Sequence, residues 1–349
     1  MITVIIALLL ISVLILVHEG GHFFIARLFK VKVFEYSIGF GPVFLKKRFN
    51  DTQFSLRFFP FGGFVRLAGI DSSLPEEQYR PEESYERLNY WQKTLVLAAG
   101  SISNLIFGFL LLFLLLFFFG KMEGLSTRIE KVIANTPAQA MDLREGDKVL
   151  KVNSQAVSDG EQVVKLIRSS KGQPLEFIVQ RNNGEIKFLL NPSYHEKDKI
   201  YFVGIKLQPM LINRYSLIFS LKEGVKEFNS ISLMTLYGLE QFFTGHVSMD
   251  QVAGPLGIVS LTGEMVNYGV TFLFRFIVIL SINLAILNLF PFPALDGGRI
   301  LLLNIEKVLG KVVKPEIINR LNYIGALILL LFIIYVTYFD LRRIFIKPS

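Results

Sequence analysis

The sequence predicts a polytopic α-helical membrane protein with four transmembrane helices, a membrane-associated β-hairpin region and an inserted α+β domain. Three observations predict this class. The chain of 349 residues is 52% hydrophobic, with a mean hydropathy of +0.46, which is well above that of a soluble domain. Four apolar runs are long enough to be spans. A polar stretch at residues 124–210 separates the second run from the third.

The first apolar run, Ile2–Val17, predicts an uncleaved transmembrane helix. A secretory signal peptide is the alternative, but no Lys or Arg precedes the run and no small-residue cleavage site follows it. Arg27, Lys30 and Lys32 come shortly afterwards. Because basic residues favour the cytoplasmic side, we expect this end inside and the N-terminus outside.

The other predicted spans are Leu95–Phe119, Phe272–Phe290 and a shorter one, Ile324–Phe339. The segment Ser216–Phe243 is a candidate fifth span, but it has four charged residues in its first half. Charges are costly inside a bilayer, so we expect an amphipathic helix at the membrane surface. Four spans place both termini outside, although the basic C-terminal tail opposes that assignment.

The spans divide the chain into seven predicted segments. They are a first transmembrane helix (1–26), a cytoplasmic membrane-associated β-hairpin region and loop (27–93), a second transmembrane helix (94–120), an extracytoplasmic α+β domain (124–210), an extracytoplasmic amphipathic helix and loop (211–269), a third transmembrane helix (270–298), and a cytoplasmic loop with the fourth transmembrane helix and a short tail (299–349).

Charge and cysteine content exclude several classes of protein. The net charge is +8, but the basic residues are dispersed and flank the apolar runs, which fits contact with lipid head groups rather than with nucleic acid. The chain has no cysteine, so disulfides, thiolate metal sites and cysteine nucleophiles are excluded. Any metal ion must be held by His, Asp or Glu.

The motif His18-Glu19-Gly20-Gly21-His22 lies at the end of the first predicted span. Residues four apart share one face of a helix, so both imidazoles can bind one zinc ion, with Glu19 as the general base. Such a motif can arise by chance. Inside a membrane helix, however, His and Glu are costly and usually serve a function.

A zinc protease needs a third protein ligand, and Asp296 is the best candidate. It follows the third span, and both sites are expected near the cytoplasmic ends of inward-running helices. His195 and His246 fall on the opposite side in this topology and are predicted to be surface residues. The alternative role for Asp296 is that of an interfacial carboxylate or a helix cap.

The inserted segment resembles a circularly permuted bacterial PDZ domain. The residues that support this are Thr136-Pro-Ala138, the loop ending at Gly146-Asp147, the strand Val149–Asn153, a hairpin around Asn183-Gly184, and the late Val203-Gly204-Ile205. The resemblance implies that Val203, Gly204 and Ile205 line a groove where a peptide ligand adds as a strand. The alternative is a small α+β domain without a ligand.

Together these motifs resemble the site-2 protease family, in particular its RseP-like group with a single PDZ domain. Further matching motifs are Gly39-Phe-Gly-Pro42, Phe61-Gly-Gly-Phe-Val-Arg66, Gly254-Pro-Leu-Gly257, Asn288-Leu-Phe-Pro-Phe-Pro-Ala-Leu-Asp-Gly297 and Asp296-Gly-Gly-Arg299. The second-span motif, Gly100-Ser-Ile-Ser-Asn104, lacks the proline that is usual in the family.

The resemblance implies an intramembrane zinc metalloprotease of the cell inner membrane. It assigns His18, His22 and Asp296 as Zn²⁺ ligands, Glu19 as the base, and Asn288, Pro291 and Pro293 as contacts to an unwound substrate. Asn104 is expected to orient the site or bind an oxyanion, and the hairpin that contains Phe64 is expected to add a strand to the substrate. The implied partners are single-span membrane proteins, such as an anti-sigma factor or a remnant signal peptide, together with the lipid bilayer.

Two other classes are compatible with parts of the pattern. A metal-ion transporter would use the same intramembrane His and Glu, but it needs polar residues across the bilayer, which spans two and four hardly offer. A non-catalytic PDZ scaffold would bind partners only, and the intact ligand and base residues argue against it.

Overall fold

The computed structural model describes residues 2–70, 79–182, 184–195, 200–211 and 216–345. The chain forms two compact units. The helical unit contains Met1–Leu116 and Leu217–Ser349, and the inserted unit contains Phe117–Ser216.

The helices and strands are numbered in chain order. The helices are α1 (Ile2–Leu28), α2 (Tyr90–Phe119), α3 (Pro137–Ala140), α4 (Gly160–Ser169), α5 (Leu217–Phe243), α6 (Pro255–Tyr268), α7 (Val270–Asn288), α8 (Asp296–Leu309) and α9 (Pro315–Phe345). The strands are β1 (Val33–Phe49), β2 (Thr52–Leu67), β3 (Met122–Val132), β4 (Lys148–Val152), β5 (Gln155–Ala156), β6 (Leu175–Arg181), β7 (Gly184–Leu190), β8 (Ser193–His195), β9 (Ile200–Phe202) and β10 (Ile205–Leu211).

Four helices in the described part of the chain are long and apolar enough to cross a membrane: Ile2–Leu28, Tyr90–Phe119, Val270–Asn288 and Glu316–Arg343. Each contains most or all of one of the four predicted apolar runs. The first helix runs through the His-Glu motif to Leu28, just past its predicted end at residue 26, and the second begins at Tyr90, ahead of its predicted start at residue 94. The architecture therefore combines four candidate membrane-spanning helices with β-sheet regions.

Strands β1 and β2 form a small folded sheet beside α1. The first half of β1 lies between the two halves of β2, since Ile38 pairs with both Leu56 and Gly63. The guanidinium of Arg57 holds the turn together by donating to Glu35, to Ser37 and to the main chain at position 41. The half of β2 at residues 63–67 pairs with β1 alone within the described residues, so it has one edge without a strand partner.

Helix α5 packs lengthwise against α7. Glu227 forms an ion pair with Arg275, and Thr235 donates to Asn283 at 2.6 Å. The partners lie 48 residues apart in both pairs, so the two helices run side by side in the same direction. The sequence predicts a surface helix because charges in lipid are costly. The structure pairs one of these charges, Glu227, with Arg275 on a predicted span, which lowers the cost of burying that charge. The surface position of α5 stays a prediction.

The carboxylate of Asp340 joins the end of α9 to the start of α6. Asp340 is 1% exposed and accepts from the backbone N–H groups of Gly254 at 3.2 Å and Gly257 at 2.9 Å. Arg343 pairs with the same carboxylate and donates to the Val252 carbonyl. A carboxylate at a helix N-terminus accepts from N–H groups that would otherwise be unpaired, and its negative charge interacts favourably with the helix dipole.

The inserted unit is a small α+β fold whose main sheet has the order β10-β3-β4-β6-β7, with β5 pairing to β4 and a separate β8–β9 pair. Its core contains the buried Ile129, Val149, Val163, Phe177 and Leu190. Strand β4 occurs near the position predicted for Val149–Asn153, while β10 and the β8–β9 pair were not predicted as such. Strands β6 and β7 pair as the predicted hairpin, but Asn183 of its turn lies outside the described residues.

One ion pair dominates the polar interior of the inserted unit. Asp147, which is 2% exposed, accepts two hydrogen bonds from Arg181, at 2.8 and 2.7 Å, and one from the Arg144 amide at 2.9 Å. Burial alone would raise the pKa of the Asp147 carboxyl, but the bonds from Arg181 and the Arg144 amide outweigh it and hold the pKa below its usual value.

Replacing Asp147 with Asn should destabilise the inserted unit by about 3 kcal/mol at pH 7, because the Arg181 guanidinium loses its carboxylate partner. The folded pKa is depressed, so this stabilisation is present above the unfolded pKa of about 3.9 and is lost as the pH falls through the folded pKa. The difference from wild type should therefore shrink below about pH 4. Hydrogen exchange of β3 and β4 in the full-length protein measures it, with the exposed Glu145→Gln as the control. Equal protection in D147N and wild type at pH 7 would contradict the assignment.

Candidate metal centre

Helix α1 presents His18, Glu19 and His22 close to its C-terminal end. The helix passes very near α2, because a β-carbon at Gly21 would lie only 2.2 Å from the Ala99 carbonyl oxygen and 2.4 Å from the Ser103 hydroxyl. The paired glycines, which lower helix propensity, thus permit a close helix contact. The two histidines lie one turn apart on the same face of α1.

Asp296 is the first residue of α8 and follows a tight loop after α7. The two glycines after it are buried, and the loop folds back over them: a β-carbon at Gly297 would lie 2.2 Å from the Leu289 carbonyl oxygen, and one at Gly298 would lie 2.2 Å from that of Phe292. Only residues without a side chain fit here, so the Asp-Gly-Gly sequence fixes where the carboxylate sits.

Three potential ligand atoms converge. Nε2 of His18 and Nε2 of His22 are 3.3 Å apart, and Oδ2 of Asp296 is 3.1 Å from the first and 3.4 Å from the second. Ligand atoms about 2.0–2.1 Å from a tetrahedral zinc ion are about 3.3 Å from one another. Oδ2 of Asp296 is buried and accepts no hydrogen bond of good geometry. The donor set and its spacing therefore fit zinc.

Gly100 of α2 forms the wall behind these atoms. A β-carbon at this position would lie 2.4 Å from Nε2 of His22 and 2.6 Å from Nε2 of His18. The space between the two ring nitrogens is therefore kept open by the lack of a side chain at Gly100. An ion needs that space, and no side chain competes for it.

The second nitrogens of the two rings face α2. Nδ1 of His22 is 2.8 Å from the Val96 carbonyl oxygen, and Nδ1 of His18 is 3.5 Å from the side-chain amide of Asn104. Asn104 is 0% exposed. It thus lies behind the His18 ring, where it can orient the site, which is one of its two predicted roles. The other, binding of an oxyanion, stays a prediction.

The predicted substrate contacts near α7 differ in exposure. Asn288 is the last residue of α7 and is half-buried, and Pro291 is exposed. Pro293 packs against α9, since a β-carbon at Gly325 would lie 2.4 Å from its carbonyl oxygen. The loop therefore offers Asn288 and Pro291 to a substrate, while the main chain at Pro293 contacts the protein itself.

Phe64 and its neighbour lie on the unpartnered edge of β2. The Phe64 ring stacks on Phe40, and the Arg57 guanidinium lies 5.1 Å from its centre. A β-carbon at Gly63 would lie 3.2 Å from Cγ of Glu19, so this edge runs directly beside the candidate base. The sequence predicted the hairpin but not the contact between Gly63 and Glu19.

In the inserted unit, Val203 is 1% exposed and belongs to the core. The carbonyl oxygens of Val203 and Gly204 accept from the N–H groups of Ala138 and Ile133, both at 2.8 Å. Ile205 begins β10, which lies at the end of its sheet. Because these two carbonyls already accept hydrogen bonds within the domain, a peptide ligand would instead add as a strand to the outer edge of β10.

The imidazoles of His18 and His22 converge with the carboxylate of Asp296, and Glu19 adds a second carboxylate beside the two histidines on α1. This arrangement defines a metallohydrolase built into membrane helices. His195 and His246 are exposed and belong to no metal-binding cluster among the described residues. The sequence did not reveal Val96, Gly63 or Gly100. Of these, Gly100 had a signal because it opens the motif that ends in Asn104, and Gly63 had one because it belongs to the motif Phe61–Arg66. Val96 had none.

Comparison with known proteins agrees with this class. Residues 6–332 match Peptidase family M50. A protein of Clostridium acetobutylicum that is named as a zinc metalloprotease is 34% identical over 97% of this chain and 96% of its own length. The zinc metalloprotease RasP of Geobacillus kaustophilus is 28% identical over 95% of this chain and 96% of its own. Among solved structures, the PDZ domain of a Listeria monocytogenes SdrC-like protein covers 25% of this chain and 92% of its own length, with 17% identity and a TM-score of 0.22.

The chain belongs to Peptidase family M50, the site-2 protease family. It is a multi-pass membrane protein and an intramembrane zinc metalloprotease. The family membership decides against the metal-ion transporter and against the non-catalytic scaffold.

Proposed function

We propose that this protease hydrolyses peptide bonds within the transmembrane segments of single-span membrane proteins, with His18, His22 and Asp296 as zinc ligands and Glu19 as the general base. The observation that carries the proposal is the convergence of the three ligand atoms at 3.1–3.4 Å. When bound by three protein ligands, zinc lowers the pKa of a water molecule to about 7 and polarises a carbonyl group.

Glu19 follows His18 on α1 and therefore lies on the turn that carries both imidazoles. From there its carboxylate accepts the proton of the attacking water and passes it to the leaving amine, which completes hydrolysis without a covalent enzyme intermediate. Glu19 is half-buried, which supports this role. Where bulk water is partly excluded, the electrostatic interactions of a carboxylate with the reacting groups are stronger.

The substrate would be held by the sheet beside α1. A cavity of about 1030 Å³ lies between α1 and the sheet and is lined by Leu16, Gly20, Gly21, Tyr36 and Leu56, among others. Its walls are mostly apolar, as a membrane-derived segment needs, and Lys46 and Lys47 are the charged residues that line it. An unwound segment exposes main-chain N–H and C=O groups, and the unpartnered edge of β2 at Gly63 and Phe64 can pair with them next to Glu19. Asn288 and Pro291 would contact the same segment from the other side of the site.

The inner-membrane orientation rests on the basic residues after α1 and on the two ends of the helical unit. Tyr90 bonds to Asn304, and Lys307 lies over the Trp91 ring, so the start of α2 contacts the second half of α8. Arg87, just before α2, donates to the Phe29 carbonyl, so this end also holds the basic residues that follow α1. At the other end, a β-carbon at Gly263 of α6 would lie 2.9 Å from Thr3. The inserted domain follows α2 and would therefore be extracytoplasmic, with the active site near the cytoplasmic side.

Within this topology the inserted domain would act as a PDZ-type filter or sensor outside the membrane. Substrates trimmed on that side, such as an anti-sigma factor or a remnant signal peptide, are the class we propose. The permuted motif order and the exposed end of the sheet at β10 support the PDZ assignment and a peptide ligand.

Zinc analysis of purified protein, paired with cleavage of a tagged single-span reporter, tests the proposal. Wild type should hold about one zinc per chain, and His22→Ala should lose both zinc and cleavage, because two ligands bind far more weakly than three. His246→Ala is the matched control, since His246 is exposed and bonds only locally to Thr244. Retained zinc and retained cleavage in H22A would reject the metal centre.

A further inference from the structure

The two candidate zinc ligands on α1 differ in what holds their second ring nitrogen. Nδ1 of His22 faces the Val96 carbonyl oxygen at 2.8 Å, and a carbonyl oxygen can only accept. His22 therefore carries its proton on Nδ1 and has a lone pair on Nε2. Nδ1 of His18 faces the Asn104 side chain, whose amide nitrogen is placed 3.5 Å away.

The placement of that amide matters for the tautomer of His18. If the NH₂ group faced Nδ1, that nitrogen would accept, and the ring proton would sit on Nε2. Nε2 of His18 points at Nε2 of His22 and at Oδ2 of Asp296, where a metal ligand needs a lone pair. Amide nitrogen and oxygen have the same shape, and hydrogen-bond partners decide between them.

Exchanging the two amide atoms resolves this conflict. Oδ1 of Asn104 is fully buried and accepts no hydrogen bond where it is placed, so a half-turn of the amide breaks no bond at that atom. The exchange brings Oδ1 to His18 Nδ1, which then donates its proton and leaves Nε2 free. The Ser281 hydroxyl of α7 donates to the Asn104 main-chain oxygen at 2.8 Å, which fixes this part of α2 against α7.

We propose that Asn104 is a positioning residue whose amide oxygen accepts the Nδ1 proton of His18 and so sets the tautomer and orientation of that zinc ligand. The proposal rests on the zinc centre proposed above and specifies how Asn104 orients the site, in preference to binding an oxyanion. Outer hydrogen-bond partners of metal-bound histidines raise metal affinity about 10–100-fold.

Zinc affinity, measured by competition with a chromogenic chelator in detergent, tests the proposal. Asn104→Leu has a similar volume without an acceptor and should weaken zinc binding about 10–100-fold. Asn104→Asp keeps an acceptor oxygen at the same place and should bind zinc at least as tightly as wild type, because a carboxylate also accepts the Nδ1 proton. Asn283→Leu is the control, because Asn283 is another helix-packed asparagine, bonded to Thr235 instead of to a ligand.

Three results would overturn the proposal. N104L that binds zinc as tightly as wild type shows that no acceptor is needed. Equal loss in N104L and N104D shows that the oxygen is not what matters. Equal loss in N283L shows a general packing effect. A wild-type chain that binds no zinc would instead reject the metal centre itself, and this proposal with it. Circular dichroism of each variant identifies any variant that has lost its helices.

Discussion

Replacing Glu19 with glutamine should reduce cleavage of a single-span reporter by at least about 10²–10⁴-fold while leaving zinc in place. Glutamine has the same shape, but its neutral amide cannot accept a proton from the attacking water. Zinc should stay because the converging ligand atoms belong to His18, His22 and Asp296. The measurement is reporter cleavage in proteoliposomes beside the zinc content of the same preparation.

The control for this experiment is Glu264→Gln, which removes an exposed carboxylate from α6 and should leave cleavage unchanged. Cleavage by E19Q at the wild-type rate would mean that another group takes the proton. Loss of zinc together with cleavage would mean that Glu19 supports the metal rather than the chemistry.

Replacing Gly100 with alanine should remove zinc and cleavage together, although alanine favours a helix by about 1 kcal/mol over glycine. The new methyl group would lie 2.4 and 2.6 Å from the two Nε2 atoms, so one or both rings must turn away from the ion. We therefore expect a variant that is at least as helical as wild type but inactive. Zinc content and thermal unfolding on one sample measure both effects.

Gly108→Ala is the matched variant for this experiment, since it lies on the same helix and its methyl group would lie 3.2 Å from the Ile282 side chain and 3.6 Å from Ser281 and Val278, away from the ligand atoms. It should keep zinc and cleave the reporter. If G100A holds zinc as wild type does, the space between the rings is not where the ion binds.

Much of the site could be predicted from the sequence because its chemistry is local. The spacing of His18 and His22 follows from the helix period, and Asp296 followed from matching the depths of two inward-running spans. The structure brings the ligand atoms of these three residues together. Their roles in the reaction remain predictions, as do those of Glu19, Asn288 and Pro291.

The rest depends on contacts between segments that are distant in sequence. No local pattern tells which face of α2 meets α1, so the importance of Gly100 and Val96 was not visible. The prediction of a surface helix at α5 could not include the ion pair of Glu227, because its partner, Arg275, lies 48 residues away on α7. In the same way, Gly254-Pro-Leu-Gly257 was recognised as a motif without a role, because its contacts are made by Asp340, far along the chain.

The hydrogen bonds between Asp340 and the start of α6 limit which helices of the helical unit can move independently. Helix α6 packs along α1 and α7 as well as α9, and its first turn is anchored to the far end of α9. If α6 moved along its axis without α9, the buried Asp340 carboxylate would lose its hydrogen bonds to α6, which costs free energy. We therefore expect α6 and α9 to move together as a rigid body. Any movement that admits a substrate segment is then expected in β1 and β2, beside α1.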